Sequence, residues 1–525
     1  MKLKFGSVIL LVFLFVEVSY SQFSPRSYNM TQDKKMQKAL SSGMTSNNSI
    51  SDILVVNANT IWLGTDSGVS LSTDGGSTWT NFDGNPAFGN QSVSAIGYDK
   101  YDNTFWAATA TSENSSGQIV PVGTGLKYTT DNGNSWISIS QPMDSQSDTI
   151  VAYGNNKLRA LPVTVPEQNL IYDIAFTPGT IWIATFAGGL RKSSDMGKTW
   201  QRVVLPPDYL DSIKPSDTLD FCMQPVAGSF CSEDNLNYRV FSVISTNDST
   251  LYVGTADGIN KSTDNGISWQ KFTHQNESNP ISGNFVVALG YNNSDSTVWG
   301  ATWQAEDPTE FYGVSYSSDG GANWQTSLSG EKVHNFAFRN KGEVIAPSDD
   351  GAFRTGDNGA NWITPNSITD PISKASILTT TFYAAAFQGS SVWVGSADGL
   401  ARLDENGNGL WSGTWKVFYA SQPVASASQT YAFPNPFNPR SDILRFKYST
   451  NGKSVPVTIR IFNFSMHYIR TIIQNAQRNF SSDSTPIDTW DGKDQNGNIV
   501  PNGVYFYRVD AGSNSPVYGK ILVVQ

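Results

Sequence analysis

An eight-residue pattern, Ser/Thr-x-Asp-x-Gly-x-x-Trp, recurs six times and constrains the fold of this 525-residue chain more than any other feature. Its aspartate and tryptophan pairs are Asp74 and Trp79, Asp131 and Trp136, Asp195 and Trp200, Asp264 and Trp269, Asp319 and Trp324, and Asp357 and Trp362. A seventh, degenerate copy runs from Asp404 to Trp415. A four-stranded unit of about 40 residues cannot bury two apolar faces alone, so this repetition predicts units that stack on their neighbours.

A second signature, apolar-Trp-apolar-Gly/Ala-Thr/Ser, precedes several copies, as in 61–65, 181–185 and 392–396. With it, each unit divides into four short runs, which in the first unit are 50–56, 60–65, 69–74 and 78–82. Charged residues are only 15% of the chain and aromatic residues 12%, with 45 glycines, which is typical of turn-rich antiparallel structure. The sequence predicts an all-β protein: a seven-bladed β-propeller over 50–419, followed by a small β-sandwich.

The two ends of the chain have different compositions. Residues 1–21 combine lysines, a nine-residue apolar run and small residues in the order of a secretory signal peptide, and 22–49 form a polar tail. The apolar run is about half of a membrane span, so no transmembrane segment is expected after signal removal. Small residues at 420–430 indicate a linker, and alternating strands over 431–525 predict an immunoglobulin-like sandwich.

Charge and cysteine content exclude several classes of function. A net charge of -10 gives no basic surface for nucleic acid. The two cysteines, Cys222 and Cys231, favour a small disulfide loop in an exported protein, with free thiols as the alternative. Two such ligands do not make a metal site, and no motif indicates a cofactor.

The repeated octapeptide has a structural explanation. Asp74 can accept hydrogen bonds from its own turn, Gly76 can adopt a positive φ, and Trp79 can pack under the outgoing strand. The pattern resembles the Asp-box, or bacterial neuraminidase repeat, of sialidases, sortilin-type receptors and photosystem assembly factors. That resemblance implies a propeller in which the box is structural and lies away from the ligand.

The C-terminal region resembles two related domain families. Pro434-Asn435-Pro436-Phe437-Asn438-Pro439 and the strand Gly503 to Arg508, before a final Lys520-apolar run, carry the likeness. They resemble the immunoglobulin-like domain of flagellar hook-capping proteins and the type A sorting domain of the type IX secretion system. The resemblance implies that the outer-membrane secretion machinery is a partner, that the protein is secreted or displayed on the bacterial surface, and that the domain can be removed on attachment.

Strand alternation predicts which side of the propeller binds ligands. The box turns share one face, whereas the long insertions (about 112–124, 141–169, 206–239, 274–285, 305–311 and 363–379) share the opposite one, which we call the insertion face. Its candidate binding residues are Tyr153, Tyr209, Trp303, Asp307, Phe311 and Tyr312. The alternative is that these side chains only hold their own loops in place by packing. Lys192, Lys261 and Arg354 occupy one repeat position, which favours a structural role over an anion site.

These features favour a non-catalytic binding or scaffold protein with an extracellular glycan or protein ligand. The alternative is a glycoside hydrolase, sialidase-like or other, which needs a carboxylate pair. No catalytic residue is assigned, because the propeller has only seven arginines and the histidines 274, 334 and 467 are scattered. A deep pocket with two carboxylates on the insertion face would favour the hydrolase.

Overall fold

The computed structural model describes residues 44–525 except 116, 422, 423, 425, 441, 482, 483 and 485. The predicted signal peptide and most of the predicted tail lie outside the described residues. Within them the regular structure consists of β-strands and one short 3-10 turn, Leu236–Tyr238. The predicted all-β class is confirmed.

The first four propeller sheets and the strands inserted between them follow in chain order. The first two sheets contain β1 (Ile50–Val55), β2 (Ile61–Thr65), β3 (Val69–Ser72), β4 (Thr80–Asn81), β5 (Ser92–Asp99), β6 (Thr104–Ser115), β7 (Gln118–Thr129) and β8 (Ile137–Ile139). The inserted β9 (Ile150–Tyr153) and β10 (Asn156–Ala160) precede β11 (Ile171–Thr177), β12 (Thr180–Thr185), β13 (Gly189–Ser193) and β14 (Gln201–Arg202). The inserted β15 (Ser212–Ile213) and β16 (Cys222–Met223) precede β17 (Val240–Ser245), β18 (Leu251–Thr255), β19 (Gly258–Ser262) and β20 (Trp269–Phe272).

The remaining strands complete the propeller and the C-terminal domain. The fifth sheet contains β21 (Phe285–Asn292), β22 (Thr297–Trp303), β23 (Gly313–Ser317) and β24 (Gln325–Ser327). The sixth contains β25 (Ala337–Phe338), β26 (Val344–Ser348) and β27 (Gly351–Thr355), and a hairpin of β28 (Ile368–Thr369) and β29 (Ser376–Ile377) follows it. The seventh contains β30 (Phe382–Gln388), β31 (Ser391–Ser396), β32 (Gly399–Glu405) and β33 (Gly413–Phe418). The C-terminal strands are β34 (Tyr431–Phe433), β35 (Leu444–Lys447), β36 (Val455–Asn463), β37 (Tyr468–Arg478), β38 (Thr489–Trp490), β39 (Gly503–Ala511) and β40 (Val517–Val523).

The propeller sheets are arranged in a ring. Each is antiparallel with its strands in sequence order, apart from β15 at the edge of the fourth sheet, and the first strand of each blade contacts the first strand of the next. This succession runs through β1, β5, β11, β17, β21, β25 and β30, and β30 returns to β1. The described residues therefore form a β-propeller, with the sheet order expected for seven blades. We refer to the sheets as blades one to seven.

Both glycine signatures of the repeat are contacts between blades. A Cβ atom on Gly76 of blade one would overlap the Trp393 ring of blade seven, and one on Gly266 of blade four would lie 2.6 Å from the Trp182 ring of blade three. In the second signature, a Cβ on Gly395 would lie 2.7 Å from Ile50 of blade one. The glycines are required because the rings and strands of adjacent blades approach too closely for any side chain.

The Asp-box turn is held by its aspartate. Asp74 Oδ1 accepts hydrogen bonds from the backbone N–H groups of Ser77 and Thr78 at 3.0 and 2.9 Å, and Oδ2 accepts one from the Thr78 hydroxyl at 2.6 Å. The backbone N–H of Gly76, at φ 84°, donates to the Ser72 hydroxyl. The bonds from Thr78 lower the pKa of Asp74 to about 2, because they favour the ionised carboxylate.

Blades six and seven depart from the repeat. In blade six an isolated bridge from Arg354 to Ile363 stands where other blades have a fourth strand. The degenerate copy at Asp404 is not a box, because β32 and β33 stay paired through Glu405 and Gly413. The fully buried Arg354 instead pairs with Glu343 at 2.5 Å and with Glu405 at 2.7 Å, so an ionic network joins the two blades.

The C-terminal domain is a sandwich of two antiparallel sheets. One contains β34, β35 and β38, and the other contains β37, β36, β39 and β40. Phe446 from the first sheet and Tyr507 from the second meet in the core with ring centroids 4.9 Å apart, beside the buried Trp490. In the second sheet β36, which ends at Asn463, pairs directly with β37, which ends at Arg478.

We expect Gly76→Ala to destabilise the propeller much more than Gly84→Ala. Both glycines have positive φ, 84° and 71°, but a Cβ on Gly84 would meet nothing within 4 Å. Gly84→Ala should cost about 1–2 kcal/mol from backbone strain alone. Gly76→Ala should cost a further 1–3 kcal/mol, roughly, from overpacking on Trp393. Midpoints of urea unfolding measure both, and equal losses would contradict the proposed contact between blades.

Candidate functional site on the insertion face

The two longest insertions fold against each other instead of forming open loops. β10, from the insertion at 141–169, pairs in parallel with β16, from the insertion at 206–239. β15 adds a fifth strand to the outer edge of blade four through β20. Cys222 and Cys231 are joined by a disulfide, with their Cα atoms 6.5 Å apart. These segments therefore extend down the flank of the propeller.

The two tyrosines of these insertions that were predicted to bind ligand differ in exposure. Tyr153 is buried, and its hydroxyl donates to the carbonyl of Ile267 at 2.7 Å, inside the Asp-box turn of blade four. Tyr153 is thus a packing residue of the flank and not an accessible residue of the insertion face. Tyr209 is 64% exposed.

Trp303 and Tyr312 come together, but not as an open stacking platform. Trp303 is only 5% exposed, and its indole N–H donates to the Val333 carbonyl at 3.1 Å. The half-buried Tyr312 ring lies 6.0 Å away at an edge-on angle. Lys332 Nζ lies 4.9 Å from the Tyr312 ring centre and 5.9 Å from that of Trp303. The ammonium is therefore positioned for cation–π attraction to both rings.

A buried histidine adjoins this group and was not predicted from the sequence. His334 Nε2 lies 2.8 Å from Asp349 Oδ1, and this hydrogen bond lowers the pKa of Asp349. The imidazole ring contacts Trp303 on one side and Tyr383 on the other, at 5.8 and 5.6 Å. We call Trp303, Tyr312, Lys332, His334, Asp349 and Tyr383 the Lys332 cluster.

The other two predicted residues belong to the turn that precedes Tyr312. Asp307 accepts hydrogen bonds from the backbone N–H and hydroxyl of Thr309, which lower its pKa. Phe311 is half-buried, and its N–H donates to Ser282 at 2.9 Å. Both residues shape the turn.

A buried ion pair lies on the insertion face of blade four. Lys271 Nζ contacts Asp257 Oδ2 at 2.5 Å and the carbonyl of Asp208 at 2.7 Å. Burial raises the pKa of Asp257 to about 6, although Lys271 opposes that shift. The charge of Glu310 adds a smaller increase, so Glu310 lies within electrostatic range of Asp257. Glu310 itself is buried and accepts a hydrogen bond from Ala305 N–H.

Side chains also cross the inner side of the ring. Asn335, before β25, donates to Asp52 of blade one at 3.3 Å, although blade seven lies between their blades. Asp173 of blade three accepts from the hydroxyl of Ser242 and the N–H of Val243 in blade four. These carboxylates serve contacts between blades.

The predicted structural role of the basic row agrees with its contacts. Lys192 lies 5.3 Å from the ring centre of Trp182, its cross-strand neighbour. Lys261 lies 5.6 Å from the ring centre of Tyr252 and donates to the Gly320 carbonyl at 2.7 Å. Arg354 belongs to the ionic network of blades six and seven.

The described part of the chain offers neither a metal-binding cluster nor a membrane-spanning helix. Among residues 44–525, with the gaps given above, no group of three or more His, Cys, Asp or Glu side chains could hold a metal ion. No helix in the same described part is long and apolar enough to cross a membrane.

Comparisons with known proteins give propeller structures at low similarity. No protein-family model and no curated protein sequence matches the chain. YCF48 bound to D1 peptide is matched at 16% identity and a TM-score of 0.41, over 69% of this chain and 96% of that one. An ancestral GH74 enzyme is matched at 15% identity and 0.49, over 92% and 64%. PorZ, a surface component of the type IX secretion system of Porphyromonas gingivalis, is matched at 12% identity and 0.28, over 91% and 75%. None of the three assigns a ligand or an activity to this chain.

We expect Asp257→Asn to change how stability depends on pH. The folded carboxyl holds its proton up to about pH 6, whereas an unfolded one releases it near 3.8. The wild type should therefore lose stability relative to Asp257→Asn as the pH rises from about 4 to about 6, with no further relative change above about 7. Urea unfolding of both proteins across this range measures the difference. A constant difference would contradict the raised pKa.

Proposed function

We propose that this chain is an exported, non-catalytic β-propeller that binds an extracellular glycan or protein through its insertion face. In this proposal the C-terminal sandwich is the sorting domain recognised by the type IX secretion machinery, and the protein is secreted or displayed on the outer surface. The sequence resemblances of the box and of the C-terminal region support it. So does the predicted signal peptide.

The Lys332 cluster is the observation that carries the binding proposal. Two half-buried groups, Lys332 and Tyr312, stand over a buried floor formed by Trp303. His334 and Asp349 hold Trp303 in place, because His334 packs on Trp303 while bonded to Asp349. The half-buried Tyr312 ring and the Lys332 ammonium suit recognition of a sugar ring or a polar peptide, since they offer an aromatic contact and hydrogen-bond donors without a reactive nucleophile.

A binding screen tests this proposal. Purified mature protein is applied to a glycan array and to extracellular matrix proteins, and affinities are measured for any hit. We expect Tyr312→Ala and Lys332→Ala each to weaken binding roughly tenfold, because each removes a ring or cation contact.

Lys341→Ala is the matched control, since Lys341 is an exposed lysine in the turn between β25 and β26. Its affinity should equal that of the wild type. Binding at wild-type affinity by both cluster variants would contradict the Lys332 cluster as the binding site.

The hydrolase remains a second candidate because of Asp257. A carboxyl whose pKa burial raises to about 6, with the second carboxyl of Glu310 close enough to add to that shift, is the kind of pair from which a general acid and its partner could be drawn. A reducing-sugar assay over a panel of extracellular polysaccharides tests it. Turnover by the wild type that is lost in Asp257→Asn and Glu310→Gln would establish the hydrolase. Absence of turnover would leave the binding proposal.

Export is tested separately by locating the protein. Mass spectrometry of medium, surface and cytoplasmic fractions should find the protein outside the cytoplasm and should begin its peptide coverage after about residue 21. Peptides beyond about residue 430 report whether the sandwich is removed. Intact protein confined to the cytoplasm, with the N-terminal peptide retained, would contradict export.

A further inference from the structure

One buried arginine of the C-terminal sandwich contacts the propeller. Arg445, on β35, is 2% exposed, and both of its terminal nitrogens bond to the carboxylate of Asp398, the NH2 contact at 2.5 Å. NH2 also donates to the Tyr419 hydroxyl at 2.7 Å, and the guanidinium lies 4.1 Å over the Tyr419 ring. A forked carboxylate, a hydroxyl and a ring face together match the shape and charge of a guanidinium.

Blade seven differs from blade four at the position that would supply this counter-ion. Asp257 and Asp398 occupy the same turn between the second and third strands, each followed by a glycine. In blade four Asn260 pairs with Lys271, and Lys271 neutralises Asp257. In blade seven the corresponding pair is Ala401 and Val417. The internal lysine is thus replaced by valine, and the cation comes from the other domain.

Further contacts surround the arginine. Lys447, two residues along β35, is also buried and lies 3.5 Å from the hydroxyl of Ser421, which follows blade seven. Ile487 of the sandwich packs against the core of blade seven as well as its own core. The contact therefore combines ionic, polar and apolar parts.

The charges of the two domains are complementary. Residues 50–419 contain 19 Lys and Arg against 37 Asp and Glu, whereas residues 431–525 contain ten Lys and Arg, six Asp and no Glu. A cationic sandwich beside an anionic propeller is attracted at long range, and Arg445 then sets the position of the contact.

We propose that the insertion face of blade seven is a docking site for the sandwich of the same chain, in which Asp398 and Tyr419 form a receptor for the guanidinium of Arg445. Docking holds the domains together independently of the linker at 420–430. Cleavage of that linker therefore does not by itself release the sandwich. This inference depends neither on the ligand of the Lys332 cluster nor on the secretion route.

The test uses the mature full chain with a specific protease site in the linker. After complete cleavage, size-exclusion chromatography over a series of dilutions measures whether the two pieces migrate together. We expect the wild-type pieces to co-elute. Arg445→Gln and Asp398→Asn should each weaken their association about 100-fold or more, because each leaves the other partner's charge buried and unpaired.

Arg440→Gln is the matched control, since Arg440 is an exposed arginine of the sandwich that bonds only Gln525 among its described side-chain contacts. Its pieces should co-elute like those of the wild type. Circular dichroism of each cleaved variant checks that both domains stay folded. Asp398→Asn lies in the propeller and Arg445→Gln in the sandwich, so a folding defect in one variant leaves the other informative.

Three results would overturn the proposal. The first is separation of the wild-type pieces at the highest concentration. The second is co-elution of both variants at the same dilutions as the wild type. The third is a dimer of the uncleaved chain whose formation requires Arg445, because the sandwich would then dock on a second copy.

Discussion

The close approach of several box glycines to the preceding blade is the contact on which the propeller depends. Gly76 meets Trp393, and Gly266 meets Trp182, at distances that no side chain would permit. The aspartate of the box holds its turn so that this glycine keeps a positive φ. The stability of one blade therefore depends on an aromatic side chain of its neighbour, as expected for repeats that cannot bury their faces alone. Between blades six and seven, where the repeat is degenerate, the ionic network of Arg354 and Glu405 joins the two blades instead.

The repeat made the fold predictable, but it carried no information about how the insertions pack at the candidate site. Spacing of Asp and Trp predicted the sheets because it reflects local turn chemistry and short-range packing. The burial of Trp303 and the route of Tyr153 to Ile267 could not be predicted, because both depend on how insertions fold on blades distant in sequence. His334 and Asp349 carry no motif, and only the register between β25, β26 and their flanking turns brings them together. Asp257 and Asp398 did have a signal, a Thr/Ser-x-Asp-Gly turn after the second strand.

One turn position thus serves several purposes around the ring. In blade four its aspartate is neutralised from within the blade by Lys271, whereas in blade seven the C-terminal domain supplies Arg445. In blade six the neighbouring Asp349 binds His334, whose ring contacts Trp303. The side chains of the insertion face therefore differ from blade to blade, while the box face repeats the same Asp-box turn. This division follows from the strand connections, because only loops on the insertion face can lengthen without disturbing the box.

Among the described residues, no special element closes the ring between blades seven and one. Each of these blades consists of consecutive strands, so no strand is exchanged to close the ring. Gly76 and Trp393 form the same contact there that Gly266 and Trp182 form elsewhere. Chain entry and exit lie side by side, since Ala420 N–H donates to Asn48 at 2.6 Å. The position of the chain ends is consequently not part of the architecture: a circular permutant opened at another seam would retain every contact between blades.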